Sequence, residues 1–374
     1  MELRKKIARA KADGVDVISL AIGDPVEPTP GPIIDEMCLR ARDPENHSYP
    51  TDEEKGMLSF REEIARWYLE RYDVALNPSD EILALIGSKE GCHHFVLAVV
   101  NPGDVVLMTD PGYPAYRSSI LIGGGEPYPM PILAKDDYLP VFDDIPADIV
   151  KRAKGMFLNY PNNPTGACAT RDFFDLAVEF AEKNDIAVCH DNPYSELTFD
   201  GQERLSFLSA AGAKEVGVEL NSLSKPYNMT GWRIGMAMGN PDIIAAMSKV
   251  KENTDSGIFN PIQYAGIHAL KNETANIENM FSIYARRRDL VLTTLARTGI
   301  SFKPPSGTFY LWVPVPDGMS SLEFTNLLFD KAAVVVAAGA AYGKHGEGYI
   351  RISLTVTDER LNEAMERIER EFAA

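Results

Sequence analysis

Lys225 stands among hydroxyls in the run Ser222-Leu223-Ser224-Lys225, with Arg233 a short way further on. A lysine so placed can form a Schiff base with an aldehyde cofactor, because burial near a second cation lowers its pKa and frees the amine. Ser222, Ser224 and Arg233 carry the donors to hold a phosphate beside it. An isolated Ser-x-Ser-Lys is more often a plain loop whose lysine caps a helix or meets an acid. Here it continues into Gly231-Trp232-Arg233-Ile234-Gly235 and has company elsewhere in the chain, which reverses that balance. Asp191 closes the run IAVCHD, with Tyr194 following. A lone strand-end aspartate usually caps a helix or faces water, yet a carboxylate within reach of a pyridine nitrogen keeps that nitrogen protonated and makes the ring an electron sink. Asn162-Asn163-Pro164-Thr165-Gly166 reads as a tight turn. A turn at a strand end also aims the Asn163 amide into the ligand crevice, where it can donate to a phenolate oxygen. Gly87-Ser88-Lys89-Glu90-Gly91 falls between an apolar run and a helical one, so it is either a simple turn or a phosphate seat on helix N-terminal amides.

Other chemistries lack their spacing. The glycines fit neither G-x-x-x-x-G-K-[ST] nor G-x-G-x-x-G, which excludes an NTPase loop and a dinucleotide fingerprint. His93-His94 and His190 have no H-E-x-x-H pattern and no cysteine at ligand spacing, so no metal site is expected. There is no G-x-S-x-G elbow.

These residues sit at the ends of short apolar runs. EILALIG, DVVLMTD, GMFLNYP, DIAVCHD, VGVELNSLS and WRIGMAMGN alternate with longer amphipathic stretches, which predicts an α/β domain with a mainly parallel central sheet flanked by helices. Ligands gather at the C-terminal ends of such strands. After about residue 240 the pattern turns to long helices, including MFSIYARRRDLVLTTLART. The strands GTFYLWVPV, AAVVVAAG and YIRISLTV and a helix beginning near Thr357 follow. They are expected to pack with the N-terminal helix as a smaller α/β domain built from both chain ends. The division predicted is 1–40 and 276–374 for that domain and 41–275 for the large one, since 374 residues exceed what one core usually serves.

Composition narrows the partners. A net charge of -17, from 54 acidic against 37 basic residues, repels phosphate backbones and anionic lipid, so nucleic acid is not expected to bind. No apolar run approaches the ~20 residues that span a bilayer, and the charged N-terminus does not read as an export signal. Cys38, Cys92, Cys168 and Cys189 form no C-x-x-C pair, which fits a reducing cytoplasm.

Taken in order, Gly23-Asp24-Pro25, Tyr49-Pro50, Gly87-Ser88-Lys89, Pro111-Gly112-Tyr113-Pro114, Asn163-Pro164-Thr165-Gly166, Asp191 to Tyr194, Ser222 to Lys225, Arg233 and Arg351 resemble the class I and II aminotransferases. The likeness spans nearly the whole chain. Within that superfamily IGSKEG, NYPNNPTGACA, SLSKPYNMTGWRIG and DSGIFNPIQYAG look most like the LL-diaminopimelate aminotransferase group. The resemblance implies a fold-type-I homodimer with shared active sites, in which Lys225 binds pyridoxal 5'-phosphate and Tyr113 stacks on its ring. It further implies that Asn163 and Tyr194 bond the phenolate oxygen and that Asp191 bonds the ring nitrogen. The phosphate falls to the backbone of Ser88 and Lys89, to Ser222, Ser224 and Arg233, and to Tyr49 of the second subunit. Arg351 takes the substrate α-carboxylate, and Gly23 lets the substrate approach the backbone. The expected reaction moves an amino group from an L-amino acid to a 2-oxo acid, with Lys225 also carrying the Cα proton. Another donor, a β-lyase reaction on the same cofactor and a non-enzymatic relative of the fold are the alternatives. Two features depart from the group: the loop Ala338 to Gly343 lacks the proline common before its glycine, and Asp52 to Lys55 adds charge after Tyr49-Pro50.

Overall fold

The computed structural model describes residues 2–50 and 55–372, the side chains of 2–4 and 11 excepted. The charged run at 52–54 therefore lies outside the described residues. In chain order the strands are β1 (Ile18–Ser19), β2 (Ile82–Leu85), β3 (Val105–Asp110), β4 (Glu126–Pro131), β5 (Ala153–Leu158) and β6 (Ala187–Asp191), then β7 (Gly217–Ser222), β8 (Gly235–Gly239), β9 (Tyr310–Pro314), β10 (Val334–Val335), β11 (Ala337–Ala338) and β12 (Tyr349–Ser353).

β2 to β8 form one seven-stranded sheet in the order β2-β8-β7-β6-β5-β3-β4. Its pairings are parallel except where β8 lies between β2 and β7. Each of the six apolar runs became one of these strands. Their side chains serve two cores with the period of two that a pleat imposes. Ile82, Ala84, Val105, Leu107, Met156 and Leu158 face one cluster; Leu83, Leu85, Val106, Met108 and Phe157 face the other. Helices Leu58–Tyr72 and Arg171–Asn184 cover the first face and helix Ser88–Val99 the second. Burial on both faces is why the runs read as unbroken hydrophobics.

The edge strand β4, EPYPMP, is not among the six apolar runs, and three prolines are out of place in an inner strand. The pairing explains it. Glu126 N and Ile132 N donate to Asp104 O and Asp110 O on the β3 side, and that parity turns Pro127, Pro129 and Pro131 toward the open edge, where no N–H is needed.

The chain ends meet in a third cluster that joins Ile18 and Leu20 to Leu311, Val313, Val334, Ile350, Ile352, Leu361 and Met365, with Tyr194, Leu197 and Phe199 packed in from beyond β6. β9 and β12 are strands as expected, and the last helix is Asp358–Phe372. AAVVVAAG is not one strand. It breaks at Val336, so that β10 pairs parallel with β1 while β11 pairs antiparallel with β12. The N-terminal helix Glu2–Ala12 joins this unit through Lys6, bound to Asp330. Among the described residues no helix is long and apolar enough to cross a membrane.

Candidate active site

The ends of β2, β3, β5, β6 and β7 open on one side of the sheet, beside β12 and the segment after β1. Between them lies a cavity of about 480 Å³. Gly23, Ser88, Lys89, Tyr113, Asn163, Asp191, Tyr194, Ser222, Ser224, Lys225, Arg233 and Arg351 all line it. Tyr49 does not: it is 75% exposed on the outside of the chain.

The amine of Lys225 donates to Gly23 O at 2.8 Å. Burial, reinforced by the cations Arg233 and Arg351 and opposed by Asp24, brings its pKa down to about 8. Gly23 has no room for a side chain, since a Cβ there would overlap the Tyr310 hydroxyl.

Asp191 is buried at the end of β6. Its Oδ2 accepts from Tyr116 Oη at 2.7 Å, whereas Oδ1 is buried without a partner. Burial pushes this carboxyl up to about 6, against the pull of the Tyr116 bond and of His190. Tyr116 is itself held by Phe157, stacked at 4.7 Å, and meets Tyr113 edge-on at 5.6 Å. Asn159 links two motifs. Its Nδ2 donates to Asp191 O at 2.6 Å, and its Oδ1 accepts from Asn163 N at 2.8 Å.

Arg351 donates to Asn163 Oδ1 and to Ala21 O, both at 2.7 Å, and its buried Nε has no partner. The Tyr310 ring lies 3.9 Å from its guanidinium carbon and the Tyr342 ring 4.9 Å. The Tyr194 hydroxyl lies 3.3 Å from that of Tyr310, and burial holds its pKa well above the usual phenol value.

The remaining polar groups gather where helix Ser88–Val99 begins. Gly87 precedes it at φ 78° and ψ 150°, a conformation suited to glycine, and a Cβ there would strike the Arg233 guanidinium. Ser222 Oγ accepts from Ser224 N at 3.1 Å. Helix N-terminal amides, two hydroxyls and an exposed arginine are donors that can seat an anion.

The sequence reading missed Tyr116, Asn159, Tyr310 and Tyr342 as cavity residues. Tyr116 had a usable signal, one helical turn beyond Tyr113; the others look like ordinary turn or core positions. No metal site was expected, and the structure does bring Glu90, His94 and Asp255 together, with ligand atoms within 4.8 Å of one another. The buried ammonium of Lys251 bonds Glu90 at 2.9 Å and Asp255 at 2.7 Å, so a cation of the chain's own already serves both acids.

The family model described as aminotransferase class I and II matches residues 15–368. An LL-diaminopimelate aminotransferase of Moorella thermoacetica is 50% identical over 98% of this chain and 94% of its own length. One from Halothermothrix orenii is 48% identical over the same shares. Among solved structures, substrate-bound BacF of Bacillus subtilis superposes with a TM-score of 0.94 at 36% identity, covering 99% of this chain and 93% of that one.

Proposed function

Since this chain belongs to the class I and II aminotransferases, fold-type-I enzymes that depend on pyridoxal phosphate, we propose that it transfers an amino group from LL-diaminopimelate to 2-oxoglutarate. The substrate reading rests on one observation, identity near one half with LL-diaminopimelate aminotransferases over almost the full chain.

The residues fit the cofactor. The unpartnered Asp191 Oδ1, on a carboxyl that burial keeps from ionising easily, is suited to a cationic N–H such as a protonated pyridine nitrogen. Lys225 is the attachment point, and at pH 7 roughly a tenth of it is free amine with its pKa at about 8. Ser88, Lys89, Ser222, Ser224 and Arg233 would hold the phosphate, Tyr113 would cover the ring, and Asn163 and Tyr194 would meet the phenolate oxygen. When bound, pyridoxal phosphate supplies the aldehyde that takes up the substrate nitrogen and the ring that accepts electron density from Cα.

Arg351 receives the α-carboxylate through its free Nε and its outer nitrogens, which sets the Cα–H bond for removal. Gly23 offers its backbone to this approach with no side chain of its own, the Tyr310 hydroxyl standing where a Cβ would be. Lys225 Nζ moves the proton at Cα as general base and then as general acid. Asp191, ionised beside such a ring, would hold the proton on its nitrogen. Residues 41–275 are the cofactor domain, and 1–40 with 276–374 the smaller one. The enzyme is a cytoplasmic homodimer, a reading supported by its four free cysteines and by the exposure of Tyr49, which in such a dimer would reach the phosphate of the second subunit.

An amino-donor screen with 2-oxoglutarate, scored by glutamate formation, tests the substrate: LL-diaminopimelate should lead, and its failure beside a good donor of another class would replace it. Borohydride reduction and peptide mapping test the attachment. The phosphopyridoxyl label is expected on Lys225, and a label on any other lysine overturns the assignment.

A further inference from the structure

We propose that Asp110 and His345 form a latch that positions Tyr342 against Arg351 and thereby sets the affinity for substrate carboxylate. The inference rests on the reading of Arg351 as the carboxylate clamp. Asp110 is the last residue of β3 and is buried. Its two oxygens accept from one residue of the smaller unit: Oδ2 from His345 Nδ1 at 2.9 Å and Oδ1 from His345 N at 3.3 Å. Two further ties lie beside this pair. Gly112 N donates to Tyr342 O at 2.8 Å, and Gly343, at φ 134°, lies so close to the Asp110 carboxylate that a Cβ would overlap it. Segment 342–345 is thus fastened to segment 110–112, which leads directly into Tyr113.

What the fastening holds in place is an aromatic ring. Tyr342 packs edge-on against Trp312 at 5.9 Å and presents its face to the Arg351 guanidinium. With Tyr310 it makes a two-ring clasp that fixes the plane of the fork before a carboxylate arrives. The ends of the loop have other anchors: β11 pairs with β12, and Ala340 N donates to Ser321 Oγ. Releasing the latch therefore frees the middle of the loop without unfolding it. The bland alternative is a part-exposed ion pair with no bearing on binding, since the His345 side chain is 32% exposed.

In the loaded enzyme, His345→Ala should raise KM for the amino donor, and Kd for 2-oxoglutarate in the resting form, on the order of tenfold, the size of one lost cation–π contact in a desolvated site. By the same argument kcat, cofactor content and Tm should stay close to the parent values. His345→Asn, whose amide can replace the Nδ1 donor, should restore most of the affinity. Asp110→Asn added to His345→Ala should cost little more, because both break one latch. KM and Kd within twofold of the parent, or a fall in kcat alone, would overturn the latch. Arg351→Lys is the separate control: if that variant keeps its KM, it is the clamp that fails, whatever the latch variants do.

Discussion

Asp191 is held in the protein with half of its hydrogen-bonding capacity unused. Burial pushes its carboxyl up to about 6 in the fold, above the 3.8 of a free aspartate side chain, so the cofactor-free protein binds an extra proton between those values. A folded pKa raised in this way contributes stability below about pH 4 that is lost as pH rises through 6, on the order of 3 kcal/mol. Asp191→Asn should abolish that loss. Urea denaturation of the cofactor-free forms at pH 4 and pH 7 is the check: the variant should gain on the parent at the higher pH, and a constant difference would count against the assignment. The loaded variant should still retain the cofactor through its phosphate but lose at least a hundredfold in turnover, the range typical of one lost electrostatic contact to developing charge. Such polar residues were legible in the sequence as an ordered set at the ends of hydrophobic runs, since each of them alone reads as a cap or a turn. Tyr310 and Tyr342 were not. An aromatic in an apolar run gives the same pattern whether its face meets a core or a guanidinium.

At the scale of the element, the parallel strands were legible because burial on both faces leaves an unmistakable apolar run. β4 was hidden, since the prolines that would break an inner strand are tolerated when their missing donors face an edge. The break at Val336 was hidden too, for a run of small and β-branched residues carries no mark of the point where it changes partner. The turn into helix Ser88–Val99 offers a direct test of positioning. Gly87→Ala adds a Cβ both to a backbone reserved for glycine and against Arg233, so it should weaken pyridoxal phosphate binding about tenfold or more, given strain of roughly 1–3 kcal/mol. Gly231→Ala is the matched control, with nothing within 4 Å of its added carbon. Equilibrium dialysis of the two variants should separate them; equal affinities would show that the turn does not shape the seat.

At the scale of the whole molecule, the single chain brings twelve of the expected residues to one cavity and leaves Tyr49 outside it. Mixed dimers test whether a second subunit completes the site. Combining an inactive Tyr49→Phe subunit with an inactive Lys225→Ala subunit should yield hybrids with one working site, where neither homodimer has any; the absence of any recovery would rule out sharing. Both chain ends share one hydrophobic cluster, in keeping with the change of pattern near residue 240, whereas sequence periodicity carries no mark of what an exposed tyrosine such as Tyr49 would meet. The arrangement of the cavity also bears on the order in which competence arises. Every strand of the large sheet and all the proposed phosphate contacts within the chain lie before β9, whereas Arg351 stands in β12, near the far end. Domains fold as units as a chain leaves the ribosome, N-terminal parts first. A nascent chain therefore holds every residue proposed for its own part of the phosphate seat while the arginine proposed to meet the substrate is still to be made.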